Sequence, residues 1–476
     1  VLDGDNVIIK SAETLWGKNT EESMDFLKEK EGKTIHSLLI GPAGENLVNY
    51  AAIMNDASRA FGRGGVGSVM GSKNLKAIVV KNGKKKTEIH NSERLKNLTQ
   101  SARDKIKVVP ITRSALPRFG TSGLVNIINE LGMFPINNFQ KGYDERAENL
   151  SGESIRNELL QKDEGCFACP IRCGRLTKAG NMEGKGPEYE SVWALGANLG
   201  IYDLTIVAQA NYLCNKMGLD TISCGGTIAC AMELQQNGLL KSEMLKFGNK
   251  ENLKEIIIKI AKREDIGDEL AEGAKQLAEK YQSPETAIHV KGMELPAYDP
   301  RGAMGHALGY ATSNRGGDHL TGYLAAMEIF AAPKKINRFN VGGKSDLLVL
   351  KQNSKVIEDS MGVCAFAGWA LGLDFYARFL TAITNVDYSV ASLIQRGNKI
   401  YNMERLFSIK AGMKKEQDTL PKRFLDEPLK EGFSKDKVVP IERMLEEYYN
   451  VRKWDENGIP KSSLLKDLEI NIENYE

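Results

Sequence analysis

The sequence predicts an α+β protein in which a small β domain is followed by two mainly α-helical domains. Short aliphatic runs separated by glycine-rich turns occupy residues 1–85, and helical spacing of apolar residues dominates from residue 86 onward. A second glycine-rich stretch, Asp299–Gly322, interrupts the helical part. We therefore expect domains at 1–85, 86–290 and 291–476, a division that a chain of 476 residues can support.

The first domain has the strand signals, which are short and rich in β-branched and aliphatic residues. The predicted strands are Val7–Ile9, Ser37–Ile40 and Ala77–Val80. Residues Val1–Lys10 predict the second half of a β-hairpin around Asp3-Gly4. A native chain seldom starts inside a hairpin, so we expect an N-terminal portion of this domain to be missing. The polar segment Asn82–Thr87 marks the end of the domain.

The two following domains contain segments in which apolar residues recur every three or four positions, the spacing of one helix face. In the second domain these segments are Ser92–Val108, Ser122–Leu131, Ser151–Gln161, Leu204–Met217, Gly226–Asn237, Glu251–Arg263 and Ile266–Tyr281. In the third domain they are Ser345–Asp359, Phe375–Asn385, Ser389–Lys410 and Val438–Val451.

Composition excludes several classes of function. The 64 basic and 62 acidic residues nearly balance, which argues against nucleic acid as a partner. Seven cysteines are too few for a disulfide scaffold and fit a reducing cytoplasm in which thiols are kept for metal. The sequence has no apolar run of the roughly 18 residues that a membrane span needs, and it has no secretory signal.

The most specific motif is Cys166-Phe-Ala-Cys169-Pro-Ile-Arg-Cys173, three thiols within eight residues of a predicted loop. Such a triplet favours an iron–sulfur cluster, and hence electron transfer. A zinc site would prefer two Cys-x-x-Cys pairs, and radical-SAM enzymes use the opposite spacing. A structural coincidence is the third alternative. Spacing alone indicates Cys364 only weakly as a fourth ligand.

A glycine-dense loop with interleaved cations runs from Arg59 to Asn74. Glycines let backbone N–H groups approach an anion closely, so the loop is moderately favoured as an anion site over a plain turn. Its spacing matches neither the dinucleotide fingerprint nor the phosphate-binding P-loop.

Two further segments carry candidate acid–base groups. Gly186-Pro-Glu-Tyr-Glu190 offers carboxylates, and Asn314-Arg-Gly-Gly-Asp-His319 offers a cation and an imidazole. A Glu and a His from separate segments can share proton-transfer work in one cavity. From composition alone, a hydrogen-bonded structural histidine and a solvated carboxylate are the more frequent outcome, and His306 is an equal candidate.

A spacing recurs in Asn215-Lys-Met-Gly-Leu-Asp220 and Asp359-Ser-Met-Gly-Val-Cys364. Each follows a predicted helix, so each can end that helix and direct a side chain and backbone groups towards one ligand. A repeated helix C-cap is the simpler interpretation from the residues alone.

Together these motifs resemble the tungsten-dependent aldehyde:ferredoxin oxidoreductases, from about Ser37 to the end. The segments that carry the resemblance are Gly41–Asn46, Gly62–Gly65, Val69–Ala77, the cysteine loop with Gly174 and Arg175, Gly186–Gly200, Glu294–Gly302, Tyr310–Gly317 and Asp418–Phe424.

The resemblance implies a tungsten ion held by two pterin dithiolenes with a bridging Mg²⁺, and one 4Fe–4S cluster. The implied cluster ligands are Cys166, Cys169, Cys173 and Cys364. The implied pterin contacts are Arg59, Ala60, Gly62, Asn215, Leu219, Arg315, Asp359, Val363 and Ala365. Glu190 and His319 fall at the positions that handle protons beside the metal, and the cofactor would lie between the two helical domains.

The sequence departs from the family pattern at a few positions. Asn215 stands where the family has Asp, and Thr321 where a basic residue can occur. Gln209 and Tyr212 replace a Glu-x-x-His pair that binds a metal between subunits, so we expect a homodimer without that site. The missing N-terminal portion would be the part of the family's first domain that completes its β base.

The activity implied by the resemblance is oxidation of an aldehyde with water to a carboxylic acid, with electrons passing through the cluster to ferredoxin. An acid or aryl-CoA reductase of the same family is one alternative, and a non-catalytic metal-binding fragment is another. The expected location is the cytoplasm, with no membrane or nucleic-acid partner.

Overall fold

The structure is a computed structural model that describes residues 1–57, 59–81, 83 and 86–471. Three residues of the predicted boundary segment, Asn82, Lys84 and Lys85, lie outside the described residues. The mixture of α-helices with small β-sheets agrees with the predicted class. The division into helical domains at residue 290 stays a prediction.

The N-terminal part of the chain forms a sheet with strand order β2-β1-β6-β3-β4-β5. Its strands are β1 Leu2–Asp3, β2 Asn6–Val7, β3 His36–Leu39, β4 Ile53–Asn55, β5 Arg59–Phe61 and β6 Ala77–Val80. Neighbours are antiparallel except β1 and β6. Both strands of the first hairpin are present, with Gly4 at φ +62° in its turn, so Val1–Lys10 is not half of a hairpin as the sequence suggested.

Two smaller sheets follow. The first is an antiparallel meander of β7 Leu160–Glu164, β8 Gly174–Ala179 and β9 Met182–Lys185. The second is the hairpin of β10 His289–Val290 and β11 Met293–Glu294. The meander carries the cysteine loop, and the hairpin supports the glycine-rich segment that contains His319.

The helices of the described residues are α1 Thr20–Glu31, α2 Pro42–Glu45, α3 Val66–Ser72, α4 Ser92–Val108, α5 Leu116–Phe119, α6 Leu124–Glu130, α7 Gly152–Glu158, α8 Tyr189–Leu195, α9 Leu204–Met217, α10 Thr221–Gln236, α11 Leu253–Lys262, α12 Ile266–Leu270, α13 Ala274–Lys280, α14 Met304–Thr312, α15 Ala325–Glu328, α16 Lys344–Ser360, α17 Leu373–Thr384, α18 Val390–Lys410, α19 Lys422–Asp426, α20 Ile441–Arg452 and α21 Ser462–Asp467. The predicted bounds of α4 and α9 are confirmed. The helix predicted at Ile266–Tyr281 is instead two helices, because Gly273 adopts φ +88° between them.

The central core is built around α10, whose side chains from Ile222 to Leu234 are all buried. A helix that is apolar or small on every face is stable only when it is enclosed on every side. Its glycines permit close packing, since a Cβ on Gly225 would lie 2.2 Å from the carbonyl oxygen of Ala194 in α8. The same packing fixes α8 and α9, which carry Glu190 and Asn215.

In the described part of the chain, no single helix has the length and apolar character to cross a membrane. One pair of segments, Tyr189–Leu199 and Leu204–Met217, meets the length and composition criteria only when taken together, and the two are bent by 120°.

Candidate active site and metal centre

The three clustered cysteines lie on the loop between β7 and β8. Positive φ angles of +53° at Ala168 and +52° at Arg172 make the loop tight, and the N–H of Cys169 donates to the carbonyl of Cys166 at 3.1 Å. Cys166 is exposed, while Cys169 and Cys173 are half-buried. The loop therefore presents three free thiols near its outer face.

Cys364 lies near this loop although almost 200 residues separate them in sequence. Cys169, Cys173 and Val363 pack against one apolar cluster. Burial, together with Glu188, Cys364 and Cys169, raises the pKa of the Cys173 thiol to about 12. Among the described residues, no three His, Cys, Asp or Glu side chains form a group that could hold a metal ion.

A cavity of 730 Å³ lies between the cysteine loop, the edge of the first sheet and the end of α9. Its lining includes Cys166 and five residues that were predicted to bind a cofactor: Arg59, Ala60, Gly62, Asn215 and Leu219. The remaining wall is rich in charged and amide side chains, among them Arg175, Lys185, Glu188 and Asn211. The cavity is therefore suited to a polar ligand with several hydrogen-bonding groups.

Arg59 stands between the cavity and the cysteines. It belongs to the edge strand β5, and its Nη1 lies 3.8 Å from Oε1 of Glu188. A Cβ on Gly174 would lie 3.0 Å from Nη2 of Arg59, so the guanidinium contacts the end of the cysteine loop. Burial alone would lower the pKa of Arg59, but Glu188, Cys166 and Cys173 outweigh it and raise that pKa.

The first of the paired motifs ends α9 against the N-terminal domain. Gly218 adopts φ +76° as the C-cap, and its carbonyl accepts from the N–H of Ala52 at 2.8 Å. A Cβ on Gly41 would lie 2.4 Å from the carbonyl oxygen of Met217, so only glycine permits this approach. This contact between α9 and the N-terminal domain brings Asn215 to the cavity wall that also carries Arg59.

The second paired motif follows α16 and does not line the 730 Å³ cavity in the described structure. Gly362 turns the backbone at φ +66°, and Asp359 is mostly exposed and paired with Lys355. Val363 and Ala365 are half-buried nearby. Arg315 is also outside that lining.

Asp359 and Arg315 nevertheless both lie near the carboxylate of Glu404. Burial raises the pKa of Glu404, the nearby Asp359 raises it as well, and Arg315 lowers it. Asn314 bonds the same carboxylate, with 3.4 Å between its Nδ2 and Oε2 of Glu404. The residues predicted to contact a cofactor are thus divided between the cavity and this second group.

Glu190 and His319 face each other, with 3.8 Å between Oε1 and Nε2. Oε2 of Glu190 accepts from the N–H of Ala297 at 2.9 Å, whereas Oε1 and Nδ1 of His319 are buried without a hydrogen-bond partner in the described structure. Burial raises the pKa of Glu190 to about 8 and lowers the pKa of His319 to about 4. Near neutral pH the pair is therefore a protonated carboxyl beside a neutral imidazole.

The loop that carries His319 is closely fitted. Burial alone would raise the pKa of Asp318. The opposing effects of Arg315, His319 and a hydrogen bond from Thr321 are larger and lower that pKa to about 2. Gly316 has φ +102°, and its neighbour Gly317 leaves no space for a side chain. The loop therefore fixes an ionised carboxylate next to the imidazole.

His306 is close to His319 but has a different environment. It is buried among Tyr298, Tyr310 and Tyr323, with ring centroids 4.5 to 5.6 Å away. Within the described residues, both of its ring nitrogens lack a hydrogen-bond partner. Burial lowers its pKa to about 3. Because His319 rather than His306 faces Glu190, the geometry separates two histidines that composition left equivalent.

Sequence reasoning missed Arg63 and Asp220. Arg63 is nearly buried, and its Nε lies 3.1 Å from Oδ2 of Asp220, which also caps α10 through the N–H of Ile222. Arg63 lies within the glycine-dense loop, and Asp220 closes the first paired motif. Both residues therefore lie in motifs that are recognisable in the sequence, but the sequence did not indicate which cation of the glycine-dense loop would be buried.

Comparison with known proteins gives consistent matches along the whole chain. The family profile described as aldehyde ferredoxin oxidoreductase, domains 2 and 3, matches residues 97–470, and the profile for the N-terminal domain matches residues 1–82. The expectation that an N-terminal portion of the first domain is missing is therefore not supported.

Curated relatives are similar over most of their length. The tungsten-containing aldehyde ferredoxin oxidoreductase of Pyrococcus furiosus is 47% identical over 97% of this chain and 78% of the relative. The Thermococcus kodakarensis enzyme of the same name is 47% identical over 100% of this chain and 80% of its own length. The WOR-like subunit of the aliphatic sulfonate oxidoreductase of Pyrococcus furiosus is 28% identical over 98% of this chain and 78% of its own length.

A solved structure has the same fold. It is the active site complex BamBC of benzoyl coenzyme A reductase with 1,5-dienoyl-CoA, which matches with a TM-score of 0.82 at 22% identity. The match covers 98% of this chain and 78% of that chain.

Proposed function

The chain belongs to the aldehyde ferredoxin oxidoreductase family, and we infer from this that it is a tungsten-containing enzyme that oxidises aldehydes. We propose that the product is the carboxylic acid and that water supplies the added oxygen. Each turnover then releases two protons and two electrons, and the electrons pass to ferredoxin. The single observation that supports this most directly is the buried Glu190–His319 pair, 3.8 Å apart, beside a polar cavity.

The residues of the cavity fit the bis-pterin tungsten cofactor, with its bridging Mg²⁺, that this family implies. The volume of 730 Å³, the cation of Arg59 and the amide of Asn215 suit a large polar ligand. Arg59, Ala60, Gly62, Asn215 and Leu219 would hold one part of it. The unpartnered atoms of Glu190 and His319 are the groups expected to face the reacting centre.

Four further residues would complete the cofactor contacts from the other side: Arg315, Asp359, Val363 and Ala365. Of these, Asp359 now pairs with Lys355 and Arg315 with Asp318, so both must exchange partners when the cofactor binds. Asp359 is mostly exposed, and an exposed charge pair is worth about 1 kcal/mol or less, so its exchange costs little.

A 4Fe–4S cluster is the proposed role of Cys166, Cys169, Cys173 and Cys364. Free thiols at all four positions and the effect of Cys364 on Cys173 support it. Bound together, the tungsten cofactor would supply the two-electron oxidation and the cluster would pass electrons singly to ferredoxin.

The chain's own residues would handle the substrate and its protons. His319, neutral because burial lowers its pKa to about 4, would donate a hydrogen bond to the aldehyde oxygen. Glu190, once deprotonated, would accept a proton from water or from the hydrated aldehyde. The aromatic side chains around this pair, including Tyr298 and Tyr323, would exclude bulk water.

We further propose a cytoplasmic enzyme, with no membrane or nucleic-acid partner, that forms a homodimer without an intersubunit metal. The two residues that replace the metal ligands are engaged inside the chain. Nε2 of Gln209 donates to the carbonyl of Ala179 at 3.1 Å, and the hydroxyl of Tyr212 lies 2.6 Å from that of Thr177.

Metal analysis combined with an oxidation assay tests the proposal. Purified protein should contain one tungsten and about four irons per chain and should reduce ferredoxin with an aldehyde as donor. Zinc or no metal, or an enzyme that reduces acids or thioesters but does not oxidise aldehydes, would contradict it. Exposed Glu251→Gln is a suitable control and should behave like the wild type.

A further inference from the structure

Arg63 connects four segments of the site through one buried guanidinium. Its Nη1 donates to the carbonyl of Gly317 at 2.6 Å, and its Nη2 donates to the carbonyl of Glu294 at 2.6 Å. Its Nε donates to Asp220 at 3.1 Å, and a longer contact of 3.4 Å reaches the hydroxyl of Ser223. All five N–H directions of an arginine are fixed by its planar fork, so these contacts define a geometry as well as a charge.

Two of these acceptors lie in backbone segments that position the catalytic pair. Gly317 comes two residues before His319, and Glu294 comes three residues before Ala297, whose N–H holds Glu190 at 2.9 Å. The Arg63 guanidinium therefore holds both backbone segments that determine where the imidazole and the carboxyl lie.

Through Asp220, the Arg63 guanidinium also contacts the wall of the cofactor cavity. Asp220 lines that cavity and caps α10, and Arg63 itself follows Gly62 of the cavity wall by one residue. The loop around Gly317 has little freedom to compensate, because its N–H donates to the carbonyl of Val290 at 3.1 Å and the backbone is pressed against β11.

We propose that Arg63 is a positioning residue for aldehyde oxidation: it sets the separation of Glu190 and His319 and holds both in register with the cofactor cavity. This inference rests on the proposed function of that pair. A displacement of about 1 Å between reacting groups can cost about 100-fold in rate. The effect should lie in kcat, because Arg63 would contact neither substrate nor metal.

The test compares Arg63→Lys and Arg63→Met with the matched pair Arg338→Lys and Arg338→Met in the full, metal-loaded protein. Arg338 also donates to backbone carbonyls, of Gly302 at 2.9 Å and of Phe433 at 3.1 Å, but neither acceptor lies within 294–298 or 314–319. Three quantities are measured: tungsten and iron content, kcat and KM with an aldehyde, and amide hydrogen exchange of peptides that span 294–298 and 314–319.

We expect Arg63→Met to lower kcat by about 100-fold with KM within about threefold of the wild type and metal content unchanged. Amide exchange in both peptides should be about tenfold faster. Arg63→Lys should change kcat and exchange in the same direction, because an ammonium cannot span the acceptors on Gly317, Glu294 and Asp220. The Arg338 variants should leave both peptides and kcat near wild-type values.

The proposal is overturned if both peptides exchange at the wild-type rate in the Arg63 variants, or if the Arg338 variants lose as much kcat. If Arg63→Met does not accumulate as folded protein, Arg63→Lys decides by the same criteria. The exchange comparison needs no turnover. A protein that fails to oxidise aldehydes would contradict the proposed function, and the exchange rates alone would then decide the positioning role of Arg63.

Discussion

Replacement of Glu190 by Gln separates the chemical role of this residue from its effect on the fold. The amide has nearly the same shape and can still accept from the N–H of Ala297, which now donates to Oε2 at 2.9 Å. It cannot accept a proton from water or from a hydrated aldehyde. Loss of a general base typically lowers the rate by about 10²- to 10⁴-fold, and we expect kcat to fall in that range.

The same substitution should stabilise the chain, because the native carboxyl is held in an unfavourable environment. Burial raises its pKa to about 8 from 4.5, so the native group is protonated between these values while the unfolded group is ionised. Folding then takes up a proton, and the free energy of unfolding falls as the pH rises from 4.5 towards 8. The calculated cost is about 1 kcal/mol at pH 5 and about 3 kcal/mol at pH 7.

Glu190→Gln removes that cost, so its gain in the free energy of unfolding should grow between pH 5 and pH 7 by about 2 kcal/mol. Urea unfolding at several pH values measures this gain, and steady-state assays with metal analysis measure kcat. Exposed Glu251→Gln is the control and should change neither. A kcat within about threefold of the wild type at full tungsten and iron content would refute the proton-acceptor role. A stability difference that does not vary with pH would refute the buried carboxyl.

Three further substitutions probe other parts of the site. Cys364→Ser should lower iron content per chain and abolish the EPR signal of a reduced cluster, whereas the buried Cys230→Ser should retain both. His319→Asn should remove an acid-side loss of stability of about 3 kcal/mol between pH 7 and pH 4, since burial lowers the histidine pKa to about 4 and the unfolded side chain protonates first. Unfolding of that variant in urea at both pH values measures the change. Asp220→Ala should lower the free energy of unfolding by about 3 to 5 kcal/mol because it leaves the buried Arg63 without its carboxylate, as measured by urea titration at pH 7.

The local elements were predictable from sequence where one physical signal dominated. The helices at Ser92–Val108 and Leu204–Met217 have an amphipathic or apolar period and clear caps, and their predicted bounds agree with the structure. The segment Ser151–Gln161 was predicted as one helix, but the helix ends at Glu158, since Leu160 begins a strand that pairs with β8. That pairing partner is distant in sequence, so no local pattern could reveal it.

The candidate site was predictable in part for a similar reason. Spacing identified the cysteine loop, and resemblance identified Cys364 and Glu190 as residues to examine. The partners of a buried charge are set by tertiary packing, and the sequence therefore did not indicate that Arg63 rather than Arg59 would contact the loop of His319. Whether the four cysteines bind iron stays a prediction.

The start of α8 directs two carboxylates, Glu188 and Glu190, into two different environments. Glu188 precedes the helix and turns towards the cysteine loop, where Arg59 lies 3.8 Å away and the hydroxyl of Thr121 donates to it at 2.5 Å. Glu190 follows by two residues, points to the opposite side and faces His319. Because residues two apart on a helix do not share a face, this short spacing gives two carboxylates two different environments. Glu188 lies beside the thiols and the cation of Arg59, whereas Glu190 is buried beside His319 with a raised pKa. Under the proposed function, electrons and protons would therefore leave the site in different directions.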